Sequence, residues 1–365
     1  MFDVAIIGAG PAGNAAAFVL LEKGLKVLLL DKYEFPRKKA CAGGITPKGV
    51  HLFPYDISPV IKRECRAIKI VPPGRPSFHI QDERTLCYMT RREELDLFSL
   101  NRVMEKGAEF RVIQKIQSIR EKAHFVEINA GRDSVKASYL IGADGANSIV
   151  RRFAAKGRFW QKQTAIEADV KLDRPENHPM EFDFSKLKNG YFWIFPKDDH
   201  VNIGIYSFGS RAGLQIRQLL EYAGNRFSSN KIEAVKGYPI CTGGVHYKPE
   251  SSRILLCGDA AGLAEPLLGE GIYFAVKSGR EAAFSILEAE AGHVPARVHY
   301  MKKLKEIQMD LRLYRAGAGF FYRLPRVSLK LLSFPYIHNP FAKGYAQGKP
   351  LNRILTGNIF GKNNP

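Results

Sequence analysis

Cysteine is scarce in this sequence and shows no pairing pattern. The 365 residues contain five cysteines, an odd number, and no two of them have the CxxC spacing. Neither a disulfide framework nor a structural zinc site is therefore expected. The nine histidines show no ligand spacing, and no metal is predicted. Unpaired thiols are typical of a reducing compartment, which favours a cytoplasmic protein.

Long unbroken apolar runs are also lacking. Residues 4–21 are almost wholly apolar, but three glycines and Pro11 interrupt them, and no basic segment precedes them. A signal peptide needs a basic leader, and a membrane-spanning helix needs a longer unbroken run. This stretch is instead predicted to form a buried strand, a tight turn and a buried helix.

Acidic residues are few relative to basic ones. The chain has 36 Asp and Glu against 55 Lys and Arg, a net charge of +19, and residues 297–365 hold thirteen of the basic residues but only two acids. We predict a helix to about Tyr322. Two interpretations stay open: a basic amphipathic element at the inner face of an anionic membrane, or a helical cover with a solvated basic face. Nucleic acid is not expected, because no base-stacking or groove-reading motif accompanies the charge.

A glycine motif follows the first predicted strand. The sequence GAGPAG at residues 8–13 lies between a strand at 4–7 and a helix at 11–23, and an acid ends the next strand. Glycines permit the tight turn and close approach of a pyrophosphate to the helix N-terminus, and the acid can accept hydrogen bonds from ribose. The predicted dinucleotide-binding residues are Gly8, Gly10, Pro11, Ala12, Gly13, Asp31 and Lys32.

Two later segments indicate which dinucleotide binds. YLIGADGANSIVR at residues 139–151 and RILLCGDAAG at 253–262 each place an aspartate just beyond a buried strand. With the glycine motif, they resemble the FAD-dependent oxidoreductases of the p-hydroxybenzoate hydroxylase fold group. The resemblance implies FAD contacts at the late aspartate, at the arginine of RREELD, and along residues 266–272, whose N–H groups would face the flavin. The residues concerned are Arg92, Asp144, Gly258, Asp259, Gly269, Gly271 and Ile272.

Two further motifs resemble the geranylgeranyl reductase family. CAGG at residues 41–44 is similar to its CxGG motif, which implies that Cys41, Gly43 and Gly44 lie near the flavin. YFWIFP at residues 191–196 is similar to its YxWxFP motif, which implies that Trp193, Phe195 and Pro196 line a lipid cavity. Without the resemblance, the same segments are also consistent with a small buried cysteine and with a strand of aromatic core residues. The family has a proline where this chain has Lys188, which leaves the cavity's shape open.

The resemblance implies a reductase that saturates C=C bonds of an isoprenoid, geranylgeranyl-type lipid with hydride from flavin N5. An isolated alkene accepts hydride poorly, so protonation must accompany transfer in a dry site. Cys41, Tyr191 and Glu270 are the candidate acid or positioning residues. NADPH and ferredoxin both stay open as electron donors. The alternatives are a flavin monooxygenase or halogenase of the same fold group and a non-catalytic membrane-associated flavoprotein.

The predicted architecture is α/β, or α+β overall. A Rossmann-like FAD-binding domain is expected from residues 1–55, 86–155 and 250–295, because the buried-strand style of the start returns late in the chain. An inserted substrate domain with an antiparallel sheet is expected from residues 56–85 and 156–249, which are rich in aromatic strands. Residues 296–365 are expected to form a basic, helical C-terminal segment.

Overall fold

The structure, a computed structural model, describes residues 1–131, 133–155, 160–209, 213–227 and 232–359. Its strands, in chain order, are β1 (Phe2–Ile7), β2 (Val27–Asp31), β3 (Gly44–Ile45), β4 (Ile61–Cys65), β5 (Ala67–Val71), β6 (Phe78–Gln81), β7 (Cys87–Thr90), β8 (Glu109–Val112), β9 (Ile116–Glu121), β10 (Val126–Ala130), β11 (Asp133–Gly142), β12 (Gln161–Lys171), β13 (Met180–Asp183), β14 (Gly190–Pro196), β15 (His200–Ser207), β16 (Ile232–Thr242) and β17 (Ile254–Leu256).

The α-helices of the described ranges alternate with these strands at first and follow them at the end. They are α1 (Pro11–Glu22), α2 (Pro47–Val50), α3 (Arg92–Glu105), α4 (Val150–Ala154), α5 (Ile216–Arg226), α6 (Ile272–Glu290), α7 (Ala296–Arg323), α8 (Pro325–Leu332), α9 (Pro335–Ala346) and α10 (Leu351–Ile359). None of the helices within these ranges is long and apolar enough to span a membrane.

The first sheet carries the glycine motif. Its order is β8-β2-β1-β11-β10-β9. The late strand β17 also pairs with β11, along residues 140–142. β8, β2, β1, β11 and β17 run parallel, whereas β10 and β9 are antiparallel. Because β17 follows the whole second sheet in sequence, this sheet is completed late in the chain. The predicted α/β class with a Rossmann-like FAD-binding unit is confirmed.

The second sheet is mostly antiparallel and has the order β16-β12-β15-β14-β13-β5-β6. Residues 67–81 supply β5 and β6, so this early segment lies with the later aromatic strands. A small third sheet has the order β3-β7-β4. The predicted boundary at residue 156 lies outside the described residues, and the proposed domain limits stay a prediction.

The C-terminal helices cover both large sheets. Tyr300, Leu304 and Leu311 on α7 are buried in the core of the first sheet, whereas Tyr322 near its end packs among the aromatic residues of the second. Most of the basic residues in the described part of this segment are exposed. The segment therefore covers the core, and its contact with a membrane stays a prediction.

Candidate functional site

The glycine turn after β1 is shaped by contacts that a side chain would break. Gly8 has a φ of +107°, and a Cβ there would lie 2.3 Å from the Ala143 carbonyl oxygen. At Gly13 a Cβ would lie 1.9 Å from the Gly8 oxygen, so this glycine serves helix–strand packing. Gly10 differs, because its Cβ would meet only Arg37 Nη2, at 3.6 Å. Its open side faces the cavity at the N-terminus of α1.

Arg37 crosses this turn, and the sequence did not single it out. Its Nη2 lies 3.2 Å from Asp96 Oδ2, and its Nε lies 3.9 Å from Asp31 Oδ2. Asp31 also accepts a hydrogen bond from the Ala9 N–H at 2.9 Å. Arg37 Nε is buried and has no hydrogen-bond acceptor among the described residues. An anion bound at the turn would supply the missing hydrogen-bond acceptor for Arg37 Nε.

Arg92 and Cys41 lie together beside the cavity. Arg92 donates to Asp96 through Nε at 3.0 Å and Nη2 at 2.8 Å. Burial alone would lower the pKa of Arg92, but the Asp96 charge outweighs it and the net pKa is raised, with Cys41 contributing. The Gly43 N–H points at Cys41 Sγ, 3.4 Å away, and Lys197 Nζ donates to the Ala42 carbonyl at 2.6 Å. One hydrogen bond within the CAGG loop and one from Lys197 therefore fix its shape.

The two aspartates of the later motifs play different parts. Asp144 Oδ2 accepts from the N–H groups of Ile149, at 2.6 Å, and Val150, at 3.2 Å, so this carboxylate caps α4. It borders the cavity, and its contact with a cofactor stays a prediction. Asp259 is partly buried on a short 3₁₀ turn, and burial raises its pKa while the Lys39 charge acts against that rise.

The loop at residues 265–271 departs from the sequence-based expectation at three of its N–H groups, and the contacts of Gly269, Gly271 and Ile272 with the flavin stay a prediction. Its N–H groups were expected to face the flavin, but those of Leu267, Leu268 and Glu270 donate to the Glu265 carboxylate at 2.6, 2.8 and 3.0 Å. Burial raises the pKa of Glu265 to about 7. Nothing in its sequence spacing marks this residue, so sequence reasoning missed it.

Two of the three candidate catalytic residues have engaged polar groups. The buried Tyr191 hydroxyl donates to the Leu268 carbonyl, and burial raises its pKa well above the ordinary value. Glu270 accepts from Thr46 Oγ1 and forms an ion pair with Lys48 at 2.9 Å. The polar groups of both side chains are therefore occupied by other protein groups and are not available to a substrate.

Glu167 on β12 is a second carboxyl that the sequence did not indicate, and its side chain is partly buried. It lines the cavity together with Cys41, and the Cys41 backbone hydrogen-bonds to it. Burial raises the pKa of Glu167 to about 7. A carboxyl of this kind carries a proton for part of the time at neutral pH, which suits a general acid.

Aromatic side chains form the far wall. Tyr191, Trp193 and Phe195 alternate along β14 and face the cavity. Trp193 Nε1 donates to Asn202 Oδ1 at 2.8 Å. The intervening positions face α5 instead, and Pro196 belongs to that register and is absent from the cavity wall. The predicted contact of Pro196 with substrate is therefore not supported, because strand side chains alternate between faces.

A single cavity of about 810 Å³ connects the glycine turn to the aromatic wall. It is lined by every predicted cofactor-binding residue except Gly13, and by all three candidate catalytic residues. One end offers helix N–H groups and guanidinium for an anionic dinucleotide, and the other offers flat apolar surface. The arrangement can hold a flavin dinucleotide and an apolar substrate in one continuous cavity.

The chain is similar to several known proteins. Residues 2–177 match the family model of the pyridine nucleotide-disulphide oxidoreductases. An uncharacterised protein of Methanosarcina barkeri is 36% identical over 89% of this chain and 85% of its own length. Digeranylgeranylglycerophospholipid reductase 1 of Methanopyrus kandleri is 31% identical, over 79% of this chain and 81% of its own. The chloroplastic geranylgeranyl diphosphate reductase of Nicotiana tabacum is 30% identical, over 85% and 69%.

The chain belongs to the geranylgeranyl reductase family. It is an FAD-dependent oxidoreductase. A geranylgeranyl bacteriochlorophyll reductase-like protein of Thermoplasma acidophilum has the same fold, with a TM-score of 0.77 and 21% identity over 97% of this chain and 98% of its own. A flavin-dependent brominase also shares the fold, with a TM-score of 0.73 and 18% identity over 96% and 94%.

The residues present fit the FAD of the geranylgeranyl reductase family. The open side of Gly10, the N-terminus of α1 and the unpartnered Arg37 Nε together suit a pyrophosphate. Asp259 and the N-terminus of α6 border the same cavity farther along. Bound FAD would supply redox chemistry between these groups and the aromatic wall.

Proposed function

We propose that this enzyme saturates carbon–carbon double bonds of an isoprenoid lipid. The observation that carries the proposal is the continuity of the cavity, which joins the dinucleotide turn to the wall of Tyr191, Trp193 and Phe195. Large flat apolar side chains suit a polyisoprenoid chain. The relatives named geranylgeranyl and digeranylgeranylglycerophospholipid reductases support the substrate class.

Reduced FAD would supply hydride to one alkene carbon. The protein's part is to hold the double bond, exclude water and deliver a proton to the other carbon. Tyr191 and Glu270 have committed polar groups, so we assign them to positioning. Cys41 and Glu167 lie side by side at the cavity and form the proposed acid pair, with Glu167 holding the proton.

The proposal is tested under anaerobic conditions. The purified enzyme is reduced with dithionite and mixed with geranylgeranyl lipids while flavin absorbance and product mass are recorded. Flavin reoxidation with a gain of two mass units per saturated bond supports the reductase. Reoxidation that waits for oxygen and yields an oxygenated or halogenated product supports the monooxygenase or halogenase, and the absence of any product supports a non-catalytic flavoprotein. NADPH and reduced ferredoxin are then compared as donors.

We also propose that the C-terminal segment contacts an anionic membrane, where an isoprenoid lipid resides. Apolar side chains are exposed next to basic ones at the end of α7 and on α8, namely Phe320, Leu324, Val327 and Leu331 beside Arg323, Arg326 and Lys330. Such surfaces bind anionic bilayers through apolar burial and charge.

Vesicle sedimentation tests this membrane contact. The protein should sediment with vesicles containing phosphatidylglycerol and stay in solution with pure phosphatidylcholine. The double variant Arg326→Glu and Lys330→Glu should lose sedimentation, whereas Arg217→Glu, at an exposed position of α5, should retain it. Equal sedimentation of both variants would contradict the proposal.

A further inference from the structure

The loop at residues 265–271 is held by four side chains from four places in the chain. Glu265 accepts three of the loop's own N–H groups, as described above. Three consecutive carbonyl groups are held from outside: Tyr206 donates to Pro266 at 2.7 Å, Tyr322 donates to Leu267 at 2.6 Å, and Tyr191 donates to Leu268. We call Glu265 and these three tyrosines the loop clamp.

The clamp joins elements that are far apart in the sequence. Tyr191 and Tyr206 come from β14 and β15 of the second sheet, whereas Tyr322 comes from α7 in the C-terminal segment. The loop itself leads into the N-terminus of α6, where Gly271 and Ile272 line the cavity. The position of this cavity edge is therefore set by both the second sheet and the C-terminal segment.

Glu265 has an unusual electrostatic position within the clamp. It is 1% exposed, and no Lys or Arg of the described ranges forms an ion pair with it. Lys48 forms its ion pair with the neighbouring carboxylate of Glu270, at 2.9 Å. The titratable groups that face Glu265 are Glu270 on its own loop, Tyr191, Tyr206, Tyr314, Tyr322 and Tyr345.

We propose that Glu265 is a positioning residue that shapes the loop for FAD and takes up a proton from solvent when the bound FAD is reduced. Reduction adds negative charge within the cavity that Glu265 lines, and two like charges in a low-dielectric site repel. Burial already holds the pKa of Glu265 at about 7, so a modest repulsion suffices for protonation at neutral pH. The inference rests on FAD binding and is independent of the lipid substrate.

Glu265→Gln tests the proposal with little change in side-chain size. Glutamine has one acceptor oxygen, so at least one of the three N–H bonds is lost, and we expect FAD affinity to fall on the order of tenfold. In a dithionite titration, the midpoint potential of the wild type should fall with pH above pH 7 more steeply than that of the variant. The difference should be about 30 mV per pH unit, which is tenfold in a two-electron couple.

Matched variants separate this role from general stability. Glu181→Gln removes a buried carboxylate on β13 that pairs with Arg226, outside the cavity, and should leave FAD affinity and the pH slope unchanged. Tyr322→Phe removes a clamp hydroxyl and should weaken FAD binding while keeping the pH slope. Tyr300→Phe removes an equivalent bond from α7 to Leu256 and should leave both unchanged. A wild-type pH slope in Glu265→Gln would overturn the proton uptake, and wild-type FAD affinity would overturn the positioning role.

Discussion

Replacing Gly10 with alanine should weaken FAD binding without unfolding the protein. Gly10 has a φ of −89° and a ψ of −170°, which any residue adopts, so an alanine causes no backbone strain. Its Cβ would lie 3.6 Å from Arg37 Nη2, an ordinary contact distance. As the N-cap of α1, Gly10 makes no side-chain bond, and the change should alter the free energy of unfolding by at most about 1 kcal/mol.

The loss should appear in the affinity for FAD. A methyl group at Gly10 would occupy the open side of the turn and keep a pyrophosphate from the N–H groups of α1. A hydrogen bond to a charged group contributes about 1.5–3 kcal/mol, so losing one such contact should raise the Kd of FAD by about ten- to hundredfold. Titration of the apoprotein, followed by flavin fluorescence, measures this change directly.

Two other glycines supply the comparison. Gly13→Ala places a Cβ 1.9 Å from the Gly8 oxygen, so it should destabilise the apoprotein itself. Gly224→Ala on α5 meets no atom within 4 Å and should leave FAD binding unchanged. If Gly10→Ala bound FAD with wild-type affinity, the pyrophosphate could not lie against this turn, and our assignment of the cofactor site would be refuted.

Three further predictions concern the surrounding side chains. Lys48→Met should destabilise the fold by about 3–5 kcal/mol in urea denaturation, because it leaves the Glu270 carboxylate unpaired, and adding Glu270→Gln should recover much of the loss. Gly204→Ala should cost about 1–3 kcal/mol and reduce turnover of long prenyl chains, since its Cβ would lie 1.9 Å from Trp193 Cζ2; unchanged melting would contradict this packing. Glu167 binds its proton more tightly in the folded state, with a pKa near 7 against an ordinary 4.5, so its ionisation makes stability fall as pH rises through that window. The stability of Glu167→Gln relative to wild type should therefore increase from pH 4.5 to 7 and then level off.

Much of the dinucleotide site could be predicted because its requirements are local. A turn that needs a positive φ at Gly8, and close packing at Gly13, leaves a short glycine signature between a strand and a helix. The facing of Trp193 and Phe195 was likewise predictable from alternation along a strand. The same alternation places Pro196 on the opposite face of the strand from Trp193 and Phe195, so the signal against its contact with substrate was present in the sequence.

The roles of the candidate acids could not be predicted from the sequence, because they depend on contacts between distant residues. Whether Glu270 is free depends on Lys48, which is more than 200 positions away, and whether the Tyr191 proton is free depends on a carbonyl 77 positions away. Glu167 and Arg37 belong to no sequence motif. Glu167 became a candidate because burial raises its pKa, and Arg37 because its buried Nε has no hydrogen-bond partner among the described residues.

The amino-acid sequence by itself determined the fold class, the dinucleotide turn and the family, because local backbone geometry and short-range periodicity carry that information. Only the tertiary structure decided which polar groups are engaged and which face the cavity. The loop clamp shows why: Glu265 acts on its own loop, but Tyr191, Tyr206 and Tyr322 reach that loop from separate elements. Burial, ion pairing and hydrogen bonding across such distances arise only when the chain is packed.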